Sequence, residues 1–352
     1  MENKMEEISS QRKLEALEEN GTLIRKDGKT FLQLDCENAK ELSMKWGEKL
    51  YPFTKTGKKW ILELPFSTPV NYVQICVDGQ EVLSPELPIA HGYGRPYNYI
   101  ELPDEDGLFE LRDVPHGTLT QEFYKSKISD NWEKLILYLP PCVPSAGLPV
   151  LYLQHGHGEN ETCWVSQGKM NFIYDNLVHQ RKAVPAIVVM ANGMIYKESG
   201  DKRELKYRDM SEFVKEELIP YVENKYRTYG DKEHRAMAGL SMGSLQTSIT
   251  AFEHSELFSY VGVFSGFVQD ILTQNQSHLT EKNKESFREN NKLFFRGIGA
   301  EDRFIDFFKS DDEFLEKSKI KCERKIYKGD HEWKVWRRCL YDFAQLIFRE
   351  DN

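Results

Sequence analysis

Gly239-Leu240-Ser241-Met242-Gly243 reads G-x-S-x-G, between a short run of small residues, His234 to Ala238, and a stretch with helical spacing, Ser244 to Ile249. A serine on such a strand-to-helix turn stands exposed on a sharp bend, the geometry of a nucleophile elbow. Flanking glycines suit it, because the turn needs unusual backbone angles and leaves no room for side chains beside the serine. Backbone N–H groups of the new helix would meet negative charge developing next to Ser241. The chemistry is then acyl transfer, and it needs two more residues: a base to take the serine proton and an acid to orient that base. In this arrangement they follow in the order serine, acid, histidine.

The acid is read as Asp302, in Gly297-Ile298-Gly299-Ala300-Glu301-Asp302, directly after the apolar strand Leu293-Phe294-Phe295. That places it at the carboxyl end of a strand, where open α/β sheets put their sites. Glu301 is the nearest rival, Asp306 lies a helical turn farther on, and Asp330 adjoins the histidine. The base is read as His331, in Gly329-Asp330-His331-Glu332-Trp333, on the loop after the last strand and before an amphipathic helix. His234, His254 and His278 have structural explanations, and His91 and His116 fall outside the catalytic sheet. The oxyanion hole is assigned to the backbone of Met242 and of a second loop, His155-Gly156-His157-Gly158, which leaves the buried strand Val150–Gln154. Gly156, His157 and Gly158 are the loop candidates; His155 is read as bracing the loop, and the direction of the His157 side chain is open.

Two kinds of element must position these residues. From Gly28 to Leu102, short alternating segments (Thr30–Leu34, Glu41–Trp46, Lys59–Leu64, Tyr72–Val77, Tyr97–Leu102) separated by Gly, Pro, Asp and Asn predict a small β-sandwich, residues 21–103. It follows a polar segment, 1–20, and precedes a turn-rich linker, 104–117. The second domain, 118–352, carries strands at Gln121–Ile128, Glu133–Leu139, Val150–Gln154, Ala186–Met190, Arg235–Gly239, Tyr260–Phe264, Leu293–Gly297 and Glu323–Tyr327. Helical patterns lie at Met210–Tyr226, Leu245–Glu253, Ile305–Lys317 and Trp333–Phe348. Apolar strands alternating with helices predict a mainly parallel sheet covered on both faces, with an antiparallel edge where the first two strands adjoin. This is the strand order of an α/β-hydrolase.

Composition narrows the partners. Of 352 residues, 40% are hydrophobic and 29% charged, as in an ordinary globular chain. A net charge of −9 disfavours nucleic acid or an anionic membrane as partner. No apolar run approaches the roughly 20 residues needed to span a bilayer, and residues 1–20 lack the apolar core of a secretion signal. The six cysteines, Cys36, Cys76, Cys142, Cys163, Cys322 and Cys339, show no metal-binding spacing, so free thiols, most of them buried, in a reducing, cytoplasmic setting are expected. No metal and no other cofactor is expected. A homodimer is compatible with a sequence that leaves the oligomeric state open.

Val150 to Glu159, Trp164, Glu217-Leu218-Ile219-Pro220-Tyr221-Val222-Glu223, His234 to Gly243 and Gly329 to Trp333 together resemble the esterase D-like branch of the α/β-hydrolases, over residues 118–349. That branch holds feruloyl and acetylxylan esterases of carbohydrate esterase family one, enterobactin-type siderophore esterases and mycolyltransferases. In the N-terminal part, Asn38-Ala39-Lys40-Glu41-Leu42, Trp60 with Leu62-Glu63-Leu64, Val77-Asp78-Gly79 and Ser84-Pro85 resemble immunoglobulin-like domains of glycan-active enzymes, similar to carbohydrate-binding module family forty-eight. There Trp46, Trp60, Tyr93, Tyr97 and Tyr99 serve either as sugar-stacking residues or as core. The resemblance implies a serine esterase acting on feruloyl or acetyl esters of plant-derived oligosaccharides or small phenolics. A siderophore trilactone esterase, and a glycan-binding protein with an inactive hydrolase domain, are the alternatives; Arg203, Lys206 and Arg208 are the basic residues a catecholate ligand would want. Trp164, Met194, Tyr196, Phe267 and Trp333 are the pocket candidates, each with a core-packing alternative. The insertion Gly266–Asn291 is a candidate lid or pocket wall, with a mobile surface insertion as the alternative. Ser244 stands where many relatives have a second glycine, a change expected to preserve packing.

Overall fold

Val150–Gln154, Ile187–Ala191, Arg235–Leu240 and Tyr260–Phe264 are buried at every residue, on both faces of the pleat. Strands that read as unbroken apolar runs form parallel sheets covered by helices. In the computed structural model, which describes residues 17–103, 107–142, 144, 146–199 and 202–349, these four are the centre of an eight-stranded sheet. Its strands are β1 (Thr118–Lys125), β2 (Trp132–Leu139), β3 (Val150–Gln154), β4 (Ile187–Ala191), β5 (Arg235–Leu240), β6 (Tyr260–Phe264), β7 (Leu293–Gly299) and β8 (Glu323–Tyr327). Their spatial order is β1-β2-β4-β3-β5-β6-β7-β8. β1 and β2 pair antiparallel, as the sequence predicts, and β2 pairs antiparallel with β4. From β4 across to β8 every pairing is parallel.

Helix α1 (Met170–His179) packs on α5 (Trp333–Ala344), and α5 lies over β6 and β7. Helix α2 (Met242–Glu253) lies over β5 and β6 with α3 (Glu281–Asn290) against it, and α4 (Ile305–Lys317) packs on β7. All of α2 from Met242 to Phe252 is buried, so it is a central helix. The expected helix began at Leu245, three residues late, because Met242 and Gly243 belong to the elbow motif and Ser244 is polar. The sequence pattern also gave no sign of the hairpin Tyr196–Ser199 with Lys202–Leu205, or of α3 inside the polar insertion.

The chain divides into two compact units, Met1–Glu105 and Asp106–Asn352. The first holds two antiparallel sheets. One has the order Leu23–Lys26, Lys29–Asp35, Lys59–Glu63, Thr54–Thr56; the other runs Lys49–Pro52, Leu42–Trp46, Val70–Val77, Arg95–Glu101, Ile89–Gly92, with Gln80–Val82 also on Val70–Val77. Both sheets feed one core around Leu32, Leu34, Met44, Val73, Ile75 and Ile100. The five expected strands are present. Among those added, Thr54–Thr56 and Gln80–Val82 are exposed throughout, so no apolar alternation marks them. Trp60 and Tyr99 are core, and Trp60 Nε1 donates to the Cys36 carbonyl. Tyr93 is 75% exposed and meets Tyr72 and Tyr97 edge-on.

Most of the polar segment 1–20 and residues 104–106 of the expected linker lie outside the described residues. From residue 107 onward that linker is docked on the second unit. Phe109 is buried under the Arg337 guanidinium, Asn176 donates to the Glu110 carbonyl, and His116 Nδ1 meets Asp175 at 2.8 Å. All six cysteines are free, but only Cys76, Cys163 and Cys339 are buried; Cys36 and Cys322 are half-buried and Cys142 is exposed. Among the described residues no helix is long and apolar enough to cross a membrane.

Candidate active site

Ser241 stands between β5 and α2 with φ 51° and ψ −116°, a conformation that costs a residue with a side chain on the order of 1–3 kcal/mol. Neighbouring backbone over-determines it. Ser241 N–H donates to the Phe264 carbonyl at the end of β6, 2.9 Å away. A Cβ at Gly239 would lie 2.4 Å from the Gly243 carbonyl oxygen, and one at Gly243 would lie 2.4 Å from that of His155. The elbow therefore closes only with both glycines. Ser244 does more than preserve packing: its hydroxyl donates to the Ser241 carbonyl and accepts the Phe267 N–H at 3.2 Å. Gly266 is the complement, since a Cβ there would fall 1.4 Å from Ser244 Oγ.

The three residues read from the sequence as nucleophile, base and acid come together at the carboxyl ends of β5, β8 and β7. His331 Nε2 lies 3.0 Å from Ser241 Oγ, and His331 Nδ1 lies 2.9 Å from Asp302 Oδ2. Asp302 is 1% exposed and accepts the Phe304 N–H at 2.9 Å through its other oxygen. Burial alone would raise its carboxyl; the hydrogen bond and charge of His331 and the Phe304 N–H outweigh that and hold it below the usual carboxylate range. The rivals are occupied elsewhere. Glu301 accepts the Gly329 N–H, Asp330 caps the His331 N–H, and Asp306 faces solvent beside Lys309. His234 pairs with Asp231, His254 with Glu212, and buried His278 donates to the Val268 carbonyl.

The oxyanion assignment narrows. Gly156 N–H donates to Glu159 at 2.9 Å and Gly158 N–H to the Met194 sulfur at 3.4 Å, so neither faces the serine. His157 N–H has no partner among the described residues, and the His157 side chain is exposed. Met242 begins α2, where backbone N–H groups have no intrahelical acceptor. These two donors fit an anion beside Ser241 Oγ.

The pocket candidates divide. Trp164 and Trp333, at 1% and 3% exposure, are core: they pack edge-to-face at 5.2 Å, and Trp164 Nε1 donates to the Gln154 carbonyl. Trp336, one turn after Trp333 on the same helix face, is the ring that reaches His331. Trp336 and Phe304 meet the imidazole edge-on, each with centroids 5.1 Å away, and neither was singled out from sequence. Phe267 is buried beneath Phe304. Met194 is half-buried against the Gly158 loop, and Tyr196 opens the exposed hairpin with Arg203 stacked over its ring. The insertion Gly266–Asn291 is pinned. Val268 and Gln269 N–H donate to Asp311, and buried Asp270 accepts Tyr207 and Arg208. Phe287 stacks on Phe252. The insertion is thus packed onto the rest of the unit. Cys163, in the segment after the oxyanion loop, is fully buried, which pushes its thiol up and leaves it an inert core group.

Residues 126–345 match the Esterase family model, described as "Putative esterase". The endo-1,4-beta-xylanase/feruloyl esterase of Xylanibacter ruminicola is 33% identical over 304 residues, which are 82% of this chain and 39% of that protein. The chain thus spans well under half the length of that relative. Among solved structures, the CE1 ferulic acid esterase of Anaeromyces mucronatus in complex with ferulic acid superposes with a TM-score of 0.60 at 22% identity, covering 70% of this chain and 96% of that one. The enterobactin esterase of Shigella flexneri gives a TM-score of 0.63 at 14% identity, covering 92% and 95%. At these identities the likeness is one of fold, and the fold is that of an α/β-hydrolase.

Two outcomes follow from the geometry. Gly266→Ala should lower the denaturant midpoint by the equivalent of about 1–3 kcal/mol, and Ser244→Gly in the same chain should recover part of that loss; an unchanged Gly266→Ala midpoint would contradict the packing. Because the folded Asp302 carboxyl is lowered, its ionisation stabilises the fold above the ordinary value of about 3.9, and this is lost as pH falls through the folded value. The Tm advantage of the wild type over Asp302→Asn at neutral pH should therefore shrink below about pH 4; a difference undiminished in strong acid would contradict it.

Proposed function

The chain belongs to the Esterase family, and we propose that it is a serine esterase releasing hydroxycinnamoyl groups, feruloyl foremost, from plant-derived oligosaccharide or small phenolic esters. The observation that carries the reading is the continuous hydrogen-bonded chain Ser241–His331–Asp302 at the elbow. The feruloyl preference is supported by the 33% identical relative, a xylanase/feruloyl esterase.

In the proposed cycle, Ser241 Oγ attacks the ester carbonyl carbon while His331 Nε2 takes its proton. The carbonyl electron pair moves onto oxygen, where the N–H groups of Met242 and His157 hold it. Collapse of the tetrahedral species breaks the bond to the alcohol oxygen, which leaves with the proton from His331. Water then attacks the acyl-enzyme, gives a proton to His331, and a second collapse frees the acid and returns the proton to Ser241. Asp302 keeps the imidazole in the Nδ1–H tautomer and stabilises its cation. Phe304 and Trp336 fix the ring from two sides.

A siderophore esterase reading draws on the enterobactin esterase likeness. It is weakened by the basic residues available: Arg208 is bound to Asp270 and Glu253, Lys206 to Glu204, and Arg203 lies over Tyr196. For the N-terminal unit we propose an immunoglobulin-like module of the carbohydrate-binding type, with exposed Tyr93 as its sugar-stacking residue.

Wild type and Ser241→Ala are to be compared on methyl ferulate, p-nitrophenyl acetate, an acetylated xylo-oligosaccharide and a catecholate trilactone. The expected result is highest kcat/KM on methyl ferulate, lost by a factor on the order of 10⁴ or more in the alanine variant. Preference for the trilactone would transfer the reading to siderophores, and equal turnover by both proteins would remove Ser241 from the chemistry.

A further inference from the structure

Two buried ionisable side chains that the proposed cycle does not use grip the same glycine from opposite sides. Gly156 N–H donates to Glu159 Oε2 at 2.9 Å, and the Gly156 carbonyl lies 2.8 Å from His155 Nδ1. His155 is 1% exposed and Glu159 8%. Gly193 N–H donates to His155 Nε2 at 2.9 Å, so Nε2 is an acceptor and Nδ1 carries the single ring proton. Gly193 is itself held, its carbonyl accepting Gln246 Nε2 at 2.8 Å. This grip acts beside the nucleophile: a Cβ built on Gly156 would lie 3.5 Å from the Ser241 Cβ.

The peptide joining Gly156 to His157 therefore has its carbonyl bonded to His155, while its N–H is the loop donor left for an oxyanion. A carbonyl that accepts a hydrogen bond makes the N–H of the same peptide a stronger donor. We propose that His155 and Glu159 are positioning residues of the oxyanion hole. They fix the plane of the Gly156–His157 peptide, and His155 also polarises it toward the developing charge. This rests on the serine-esterase reading above. Each side chain has a defined requirement. His155 must stay in its neutral Nδ1–H form, because a proton on Nε2 would confront the Gly193 N–H. Glu159 must present an acceptor oxygen to the Gly156 N–H.

The test uses the full chain with Glu159→Leu, Glu159→Gln and His155→Phe. Three quantities are read: steady-state kinetics on methyl ferulate, affinity for an arylboronic acid that forms a tetrahedral adduct on serine, and affinity for ferulate as a ground-state ligand. Glu159→Leu and His155→Phe should lose on the order of 10²-fold in kcat, with KM and ferulate affinity held within about threefold and boronate affinity falling in parallel with kcat. Glu159→Gln, which keeps the acceptor, should recover most of the loss. The proposal is overturned if kcat survives in both truncated variants, if ferulate affinity falls as far as boronate affinity, or if Glu159→Gln, judged folded by its near-UV spectrum, is as slow as Glu159→Leu. An inactive wild type would overturn the esterase reading and this proposal together; an active wild type with unaffected variants overturns this proposal alone.

Discussion

At Ser241 the backbone is held at a positive φ that a serine in an unconstrained chain would leave, and the site depends on the contacts that prevent it from leaving. A strained residue of this kind costs roughly 1–3 kcal/mol, and one buried hydrogen bond returns only about 0.5–1.5 kcal/mol net. Several contacts must therefore act together. The Ser241 N–H tied to Phe264, the Ser244 hydroxyl bridging the Ser241 carbonyl and Phe267 N–H, and the carbonyl of His155 against Gly243 serve in that way. They join β3, β5, β6 and α2 into one rigid corner, and every other part of the site is measured from it.

From that corner the remaining pieces arrive on separate strands. β7 delivers Asp302 already ionised and aimed by the Phe304 N–H, and β8 delivers His331 between two aromatic rings. The loop after β3 brings a single peptide to the opposite side of the serine, its neighbouring N–H groups committed to Glu159 and Met194. The low-exposure setting of Asp302 strengthens its pairing with His331, because electrostatic interactions grow where water is excluded. Preorganisation of this sort leaves little to be rearranged as charge develops.

Much of this was readable from residue order. Ser241 and Asp302 each follow an apolar run that becomes a strand, and His331 follows the last, mostly exposed strand, so their convergence follows from the rule that such sheets place sites at strand ends. The six inner strands, β2 to β7, were recognisable by their apolar residues; β1 and β8 are mostly exposed, and β1 begins three residues before the expected Gln121. What escaped has physical causes. Trp333 and Trp336 share one helix face and their rings meet at 5.1 Å, so spacing alone does not say which of them touches His331. The oxyanion loop offered three backbone donors with nothing in the sequence to rank them; partners as distant as Met194 made the selection. Short exposed strands such as Thr54–Thr56, and a polar helix such as α3 with Phe287 as its one buried residue, carry no periodic apolar signal.

The account stands on Ser241 carrying the acyl group, and the most direct measurement is to quench the protein during turnover of methyl ferulate and locate the acyl adduct by intact mass and peptide mapping. The account predicts a feruloyl group on the peptide holding Ser241, absent once substrate is exhausted and absent from Ser241→Ala. Ester cleavage with the acyl group on another residue, or turnover by Ser241→Ala at the wild-type rate, would contradict it.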